Sequence, residues 1–442
     1  MYLATHIKSN AGLYLILFSW PLVGQFLPNL VAVGWSVVSF LLIMRTNNLS
    51  QTLMAFLTML ILSDSRVKMM SFAPTAKIAV IVLLFAYVMT NYKEFRDQKN
   101  NLFIHFSPFL IYAVLASAWS NDLFLAFQKS LSYALIFFTI PLLYKGALKQ
   151  NALLANDLVS YLAVILFLGL AGYLISFDFG TLAGRYRGLL GNPNGMGILL
   201  TVAGPLYFIL KKRIPTFSVD LRTELFFGLV FTLSLILTGS RTALFALLIF
   251  VGFLRLKFFS NTFTLVVFAF ILLGYDYIFS SLPVVAEFLG LQEYLRIETL
   301  DEGSGRFVAW NFAWQQIQDV FFVGGGFGHT ETIFKRFFVE LSMQGHQGNA
   351  HNSYLTLWMN TGIIGIALFG FGLIRSIGVS IKESTYTLPL VYTVLFSANF
   401  ESWLSASLNP FTSLFLIALS TTMISTESLE EWHSEHKLKA NL

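Results

Sequence analysis

Four arginines in or beside glycine-rich turns are placed well for binding phosphate. They are Arg185, Arg187, Arg241 and Arg306. A guanidinium stays charged and presents a planar fork of donors that pairs with two phosphate oxygens at once. Glycine allows the backbone to approach a ligand closely. We therefore expect the four side chains to converge on a pyrophosphate. The alternative is that individual arginines anchor the chain at lipid headgroups.

His351 is the strongest candidate for a general base, because a neutral imidazole accepts a proton from a hydroxyl near neutral pH. The competing interpretation is a histidine at a helix start, where Asn352 caps the helix that follows. Glu401 stands at the end of a later apolar segment. Three roles are open for Glu401: orienting His351, binding a sugar, or pairing with an arginine.

The turn after Arg187 contributes further candidates. Asn192 and Asn194 stand in this turn, and helices predicted to begin near Asn194 and Thr242 would add backbone N–H donors for an anion. We therefore assign supporting roles to Asn192, Asn194, Asn352 and Glu401.

Neither a metal nor a cofactor is predicted. His329, His346 and His351 share one segment, but their spacing matches no zinc pattern, and the chain has no cysteine. The glycine run at residues 324–328 follows no strand and precedes no Lys-Ser/Thr, which excludes a nucleotide-binding loop. This run is expected to form a tight turn or a mobile lid.

The elements that position these residues are membrane helices. Of the 442 residues, 56% are hydrophobic and 12% are charged, whereas a soluble domain carries about 25% charged residues. Lipid must therefore be the solvent. Apolar segments along the chain predict an all-α, polytopic membrane protein with about 12–14 transmembrane helices. The basic residues do not cluster on one soluble domain, so the net charge of +5 does not indicate a nucleic-acid partner.

Basic residues also predict the orientation. Most of the 28 Lys and Arg residues fall in loops on the side of the N-terminus, which places that side in the cytoplasm. Arg66, Lys68 and Lys77 depart locally from this pattern. The predicted units are N-terminal transmembrane helices (1–150), central transmembrane helices with the arginines (151–280), a large extracytoplasmic loop with short helices (281–352), C-terminal transmembrane helices (353–425) and a cytoplasmic tail (426–442).

Aromatic residues of the long loop give two further expectations. An amphipathic helix is predicted from Phe307 to Val320, lying on the membrane. Four aromatic side chains are expected either to stack on sugar rings or to sit at the membrane interface, as interfacial aromatics commonly do. They are Tyr294, Trp310, Trp314 and Phe327.

Taken in order, these clusters resemble the O-antigen ligase and O-antigen polymerase superfamily, the Wzy-C-like group of bacterial envelope proteins. The resemblance rests on five segments of the chain. They are residues 185–194 (Arg-Tyr-Arg-Gly and Gly-Asn-Pro-Asn), 239–243 (Gly-Ser-Arg-Thr-Ala), 303–306 (Gly-Ser-Gly-Arg), 324–328 and 351–355 (His-Asn-Ser-Tyr-Leu). It covers roughly residues 160–425, and the first 150 residues match only as generic membrane spans.

The resemblance implies a metal-independent, inverting glycosyl transfer at the outer face of the bacterial inner membrane. The donor would be a glycan on undecaprenyl diphosphate, without nucleotide sugar, and the acceptor a sugar hydroxyl. Lipid A–core is the acceptor in ligases, the type we favour. A lipid-linked repeat is the acceptor in O-antigen or exopolysaccharide polymerases. The resemblance further implies that His351 is the base, that Arg187 and Arg241 bind the donor diphosphate, and that Arg306 assists.

The sequence leaves two other functions open besides glycosyl transfer. A transporter of lipid-linked oligosaccharides is expected to distribute polar residues through the membrane midplane and to have repeat-related halves. A non-catalytic scaffold for envelope assembly has no need of clustered arginines and histidine. The clustering at one membrane face favours the transferase.

Overall fold

The computed structural model describes residues 2–95, 99–274, 306–346 and 348–440, and isolated positions between 283 and 292. Within these residues the protein is almost entirely helical. Its two short strands, β1 (Thr181–Leu182) and β2 (Arg185–Tyr186), pair antiparallel. The predicted all-α, polytopic fold is confirmed. Most of the predicted loop before Arg306, including residues 303–305 and Tyr294, lies outside the described residues.

The chain before the loop forms fourteen described α-helices. They are α1 (Tyr2–Ser9), α2 (Ala11–Phe26), α3 (Asn29–Arg45), α4 (Leu49–Asp64), α5 (Ala73–Thr90), α6 (Tyr92–Phe95), α7 (Asn101–Leu115), α8 (Leu123–Gln150), α9 (Leu154–Ile175), α10 (Phe177–Gly180), α11 (Pro193–Arg213), α12 (Leu221–Thr238), α13 (Arg241–Arg255) and α14 (Asn261–Leu273). Short 3-10 helices at Lys68–Met70, Ala116–Trp119 and Leu256–Phe258 connect some of them.

Seven α-helices follow in the rest of the described chain. They are α15 (Arg306–Asp319), α16 (His329–Arg336), α17 (Phe338–Met343), α18 (Ser353–Glu383), α19 (Thr387–Phe400), α20 (Pro410–Met423) and α21 (Thr426–Ala440). A 3-10 helix at Ser402–Ser405 joins α19 to the turn before α20. A helix is therefore present as α15 where one was predicted from Phe307 to Val320, and its position on the membrane surface stays a prediction.

Seven helical segments in the described chain are long and apolar enough to cross a membrane, and six further apolar helices have 10–17 residues. The long set comprises α5 with its preceding turn, α7 with its following turn, α8, α9, α11, α12 and α18. A full span needs about 20 residues. The number of complete crossings therefore stays a prediction, as do the boundaries of the predicted units.

The sequence marks the helix starts by side chains that cap them. Asn192, Ser240, Asn352 and Asn409 each accept a hydrogen bond from a backbone N–H in the first turn of α11, α13, α18 and α20. Pro193 and Pro410 occupy the first helical positions, where the missing N–H has no intrahelical acceptor. These four helices start at the end of the bundle where the candidate residues lie.

Helices α4 and α11 connect the two ends of the bundle. At one end, the Leu49 N–H donates to Gln150, and Arg213 donates to the carbonyls of Glu383 and Ile424. At the other end, the Gly191 N–H donates to Asp64 Oδ2 at 3.0 Å. The α20 helix is buried along its whole length, and most residues of α4 and α11 are buried. This packed centre holds the helix ends that carry the candidate site.

The described part of the loop packs on α18 at a break in that helix. Gly362 has φ 65°, outside the helical range, and the Ile363 N–H donates to the Phe321 carbonyl at 2.9 Å. The N–H groups of Gly325 and Gly326 donate to the carbonyls of Met359 and Asn360, each at 2.9 Å. Of the two expectations for the glycine run, these contacts favour the tight turn, because its backbone is hydrogen-bonded to α18.

Candidate active site

Glu401 is the centre of a polar network that joins three separate parts of the chain. Its Oε1 accepts hydrogen bonds from Asn194 Nδ2 at 2.8 Å and from the Arg306 guanidinium at 3.0 Å. Its Oε2 lies 3.1 Å from Nδ1 of His351. The Glu401 side chain is 10% exposed, whereas the His351 side chain is 28% exposed. A buried carboxylate thus holds a histidine that remains accessible to a substrate.

The partners of Glu401 fix the tautomer of His351. Burial alone raises the pKa of Glu401, but its contacts with His351 and Arg306 outweigh this effect, so the pKa is lowered overall. An ionised carboxylate only accepts hydrogen bonds, so Nδ1 of His351 carries the proton and donates it. Nε2 of the neutral ring is then a lone pair that can take a proton. This geometry suits a general base.

The backbone around His351 is held by its neighbours. His351 has φ 42°, in the left-handed region, which costs a non-glycine residue roughly 1–2 kcal/mol. Its N–H donates to Asn349 Oδ1 at 2.8 Å, and the next N–H, that of Asn352, donates to Ser402 Oγ at 3.0 Å. The Ser353 hydroxyl donates to the Glu401 carbonyl at 2.6 Å. These bonds attach the start of α18 to the segment that carries Glu401.

Asn352 has the capping role that was the competing interpretation for this region. Its Oδ1 accepts from the N–H groups of Tyr354 at 2.9 Å and Leu355 at 3.1 Å. Its Nδ2 donates to Asn399 Oδ1 at 3.2 Å. Asn352 therefore caps α18, while His351 projects to Glu401.

Arg185 extends the network to the turn before α13. Its Nε donates to the Thr238 carbonyl at 2.8 Å, and its NH2 group donates to Asn194 Oδ1 at 3.2 Å. Asn194 is thus a bridge, since its amide oxygen faces Arg185 and its amide nitrogen faces Glu401. Arg185, Arg306 and His351 are brought together through two polar side chains, although their sequence separations exceed 40 residues.

Arg187 lies in a different environment and is almost fully buried. Its Nε and NH2 groups donate to the carbonyls of Phe179 and Asp178, both at 3.2 Å. Burial, and secondarily the like charge of Arg66, lowers the pKa of the Arg187 guanidinium. Two neighbouring arginines create a local positive potential that favours an anion. Arg66 was missed as a candidate, and its departure from the predicted charge pattern was the signal.

Arg241 is the first residue of α13, directly after the cap residue Ser240. The α11 and α13 helices approach closely there, because a Cβ on Gly197 would lie 2.6 Å from Ser240 Oγ. Thr238, three residues before Arg241, accepts the hydrogen bond from Arg185. Arg241 therefore stands at the same bundle end as the network. Its convergence with the other arginines on one ligand stays a prediction.

A polar cavity of about 190 Å³ adjoins Glu401. Its lining includes Asn192 together with side chains that the sequence did not single out, among them Asp64, Lys129 and Glu331. Lys129 forms an ion pair with Glu331 that links α8 to the loop helix α16. Nothing local in the sequence marks these residues, because they come from distant segments. Only the folded chain brings them to Glu401.

The aromatic residues predicted to stack on sugars have packing partners. Trp310 lies 6.2 Å from the ring of Phe400, and Trp314 lies 5.5 Å from the ring of Trp358. Phe327 is buried against Tyr133, but it also lines the cavity beside Glu401. Within the described residues, no group of three or more His, Asp or Glu side chains is arranged to hold a metal ion.

One protein-family model matches part of the chain. A family model described as O-antigen ligase matches residues 226–370. The matched segment contains Arg241, Arg306 and His351, whereas Arg185, Arg187 and Glu401 lie outside it. No curated protein matches the chain. The match over residues 226–370 supports the assignment of this multi-pass helical protein to the O-antigen ligase and polymerase superfamily.

Proposed function

We propose that the protein is a metal-independent, inverting glycosyltransferase of the O-antigen ligase type. In this proposal it moves a glycan from undecaprenyl diphosphate to a sugar hydroxyl of lipid A–core, at the periplasmic face of the inner membrane. The family match supports glycosyl transfer of the ligase or polymerase type. The choice of ligase, the donor and the acceptor belong to the proposal. The observation that carries the finer proposal is the hydrogen bond between Nδ1 of His351 and the buried Glu401.

In the proposed reaction, Nε2 of His351 takes the proton of the acceptor hydroxyl. The hydroxyl oxygen forms a bond to the anomeric carbon of the donor sugar from the face opposite the diphosphate. The bond from that carbon to the phosphate oxygen breaks, and the diphosphate leaves with the electron pair. Glu401 stabilises the imidazolium that results, because its carboxylate accepts the Nδ1–H bond. Glu401 is therefore a positioning residue.

Arginines are proposed to stabilise the negative charge that develops on the diphosphate. Preorganised positive groups in a site shielded from water stabilise such charge without having to reorient. Arg187 and Arg241 are the assigned diphosphate ligands, with Arg185 and Arg306 assisting. Arg187 is held rigidly by two carbonyls, and Arg66 reinforces its positive potential. Arg185 and Arg306 are already bonded within the Glu401 network, so their proposed contribution is to shape the site.

The test is a transfer assay with the full chain purified into lipid nanodiscs. Undecaprenyl-diphosphate glycan is the donor, and lipid A–core or a second lipid-linked repeat is the acceptor. We expect product on lipid A–core with inverted anomeric configuration, and little with His351→Ala. His436→Ala is the matched control, because His436 lies near Leu148 at the other end of the bundle. Product only on the lipid-linked repeat would indicate a polymerase, and no product on either acceptor would refute the proposal.

A further inference from the structure

The cavity beside Glu401 has the size of a single sugar ring. Its volume of about 190 Å³ corresponds to roughly six water molecules at ~30 Å³ each. Its walls come from six α-helices (α4, α8, α11, α16, α18 and α20) and the turns between them, including Asp64 at the end of α4 and Glu331 on the loop helix α16. The cavity therefore lies between the loop and the membrane bundle and shares Glu401 with the candidate base.

The polar lining provides hydrogen-bonding groups of both kinds. Asp64 accepts the Gly191 N–H through Oδ2, and its other carboxylate oxygen has no hydrogen-bond partner within the described part of the chain. Asn349 accepts from the His351 N–H through Oδ1, and its amide nitrogen is a donor. Lys129 and Glu331 form the ion pair at the rim, where the Glu331 side chain is 62% exposed. Sugar hydroxyls both donate and accept, so they match this mixed set.

The apolar lining complements the polar one. Trp403, Phe327 and Phe411 line the same cavity. The indole N–H of Trp403 already donates to Ser397 Oγ at 3.1 Å, so Trp403 gives the cavity ring surface and no donor. A site of aromatic surface with a few placed polar groups is typical of small-molecule binding, and it suits the apolar C–H faces of a sugar.

The charge of the lining disfavours phosphate. Asp64, Glu331 and Glu401 contribute carboxylates, and Lys129 is the basic residue among the described lining residues. A diphosphate placed there would face three carboxyl groups and one lysine that is already paired with Glu331, a set with few free donors for phosphate oxygens. The arginines proposed to bind the diphosphate are not among the described lining residues. The cavity lining thus differs from the set of arginines assigned to the leaving group.

We propose that this cavity binds one uncharged sugar ring of a substrate, beside the bond that reacts. This inference rests on the proposed glycosyl transfer. The ring belongs either to the acceptor or to the donor glycan, and both share the chemistry that the cavity recognises. Asp64, Glu331 and Asn349 would then determine which sugar is accepted.

Direct binding tests the cavity without requiring turnover. Saturation-transfer NMR on the purified full chain would use methyl glycosides of glucose, galactose and N-acetylglucosamine as probes. Ser407→Phe fills the cavity, since half-buried Ser407 lines it and makes no hydrogen bond within the described residues. Glu331→Gln removes one charge at the rim. Its matched control is Glu340→Gln, because Glu340 is exposed on the neighbouring helix α17 and is not among the described lining residues.

We expect wild type and Glu340→Gln to bind at least one probe and Ser407→Phe to lose it. Glu331→Gln should bind about tenfold more weakly, the effect of losing one hydrogen bond to a charged group. Three results would each overturn the inference. They are no transfer of saturation to any probe in wild type, equal signals in wild type and Ser407→Phe, and displacement of the bound sugar by inorganic pyrophosphate.

Kinetics then identify the source of the ring. If Glu331→Gln raises the KM for the acceptor alone by about tenfold, the ring belongs to the acceptor. If it raises the KM for the donor alone, the ring belongs to the donor. Unchanged KM values in an active enzyme would refute the cavity as a substrate site and leave the glycosyl transfer standing. Sugar binding without any transfer by wild type would instead refute the proposed function.

Discussion

Replacing Glu401 by Gln is expected to inactivate the base while preserving the shape of the site. In wild type, Oε1 receives two donors, Asn194 and the charged Arg306, and Oε2 receives one, His351 Nδ1. A glutamine has only one oxygen. If that oxygen pointed to His351, the amide NH2 would face the donors of Asn194 and Arg306. The hydrogen bond from the charged Arg306, worth about 1.5–3 kcal/mol, would then be lost. We therefore expect the oxygen to stay with Asn194 and Arg306.

The amide NH2 then faces Nδ1 of His351, which must become an acceptor. The ring proton moves to Nε2, and the lone pair needed by the acceptor hydroxyl is lost. The form with the proton on Nδ1 then lies about 1.5–3 kcal/mol higher in free energy, so the fraction of enzyme with a free lone pair on Nε2 falls roughly 10- to 150-fold. Loss of the negative charge that stabilises the imidazolium lowers the rate further, so we expect kcat to fall about 10²–10⁴-fold, the usual contribution of general base catalysis.

The assay is single-turnover transfer from the lipid-diphosphate glycan, at saturating acceptor, with folding checked by thermal unfolding. Donor binding should change little, because the substitution does not touch Arg187 or Arg241. Glu340→Gln provides the control for a Glu-to-Gln change on the exposed loop. A folded Glu401→Gln variant that transfers within about threefold of wild type would refute the assignment of Glu401 as the residue that sets the tautomer.

Four further predictions concern the surroundings of the site. Asn352→Ala removes the cap of α18 and should destabilise the protein by about 1 kcal/mol in thermal unfolding. Gly362→Ala should lower the Tm and the transfer rate, because φ is 65° and its Cβ would lie 2.2 Å from the Phe322 carbonyl oxygen; Gly370→Ala, with nothing within 4 Å, is the control. Folding lowers the pKa of Glu401 from its ordinary value of 4.5, so its ionised form stabilises the protein above that pH and loses this effect as the pH falls below it. The Tm difference between wild type and Glu401→Gln should therefore be largest near neutral pH and shrink below pH 4.5. EDTA should leave the transfer rate unchanged, and a loss restored by a divalent cation would contradict a metal-independent reaction.

Local sequence patterns were sufficient for the helices and for part of the site. Apolar segments of helical length predicted the all-α fold. A helix start was expected near Asn194, where α11 begins at Pro193, and Asn352 was an expected cap of the helix that follows His351. Of the three roles left open for Glu401, the structure shows both the contact with His351 and the pairing with Arg306. The third, sugar binding, is part of the cavity inference.

Contacts between distant segments could not be predicted in this way. Asp64 meets Gly191 across 127 residues. Arg187 directly follows a hairpin of two-residue strands, which are too short to show an alternating pattern, and donates to carbonyls of the short helix α10 before that hairpin. The structure also divides the four arginines. Arg185 and Arg306 share the network through Asn194 and Glu401, whereas Arg187 has partners of its own. A sequence read segment by segment contains charge and capping signals but not these pairings.

The most direct test of the central claim is the single-turnover rate of His351→Gln with donor affinity measured on the same preparation. The account predicts a rate at least about 10²-fold below that of wild type, with donor binding unchanged, because the substitution removes the base and leaves the arginines in place. A folded His351→Gln variant that binds donor and transfers the glycan at the wild-type rate would contradict the account.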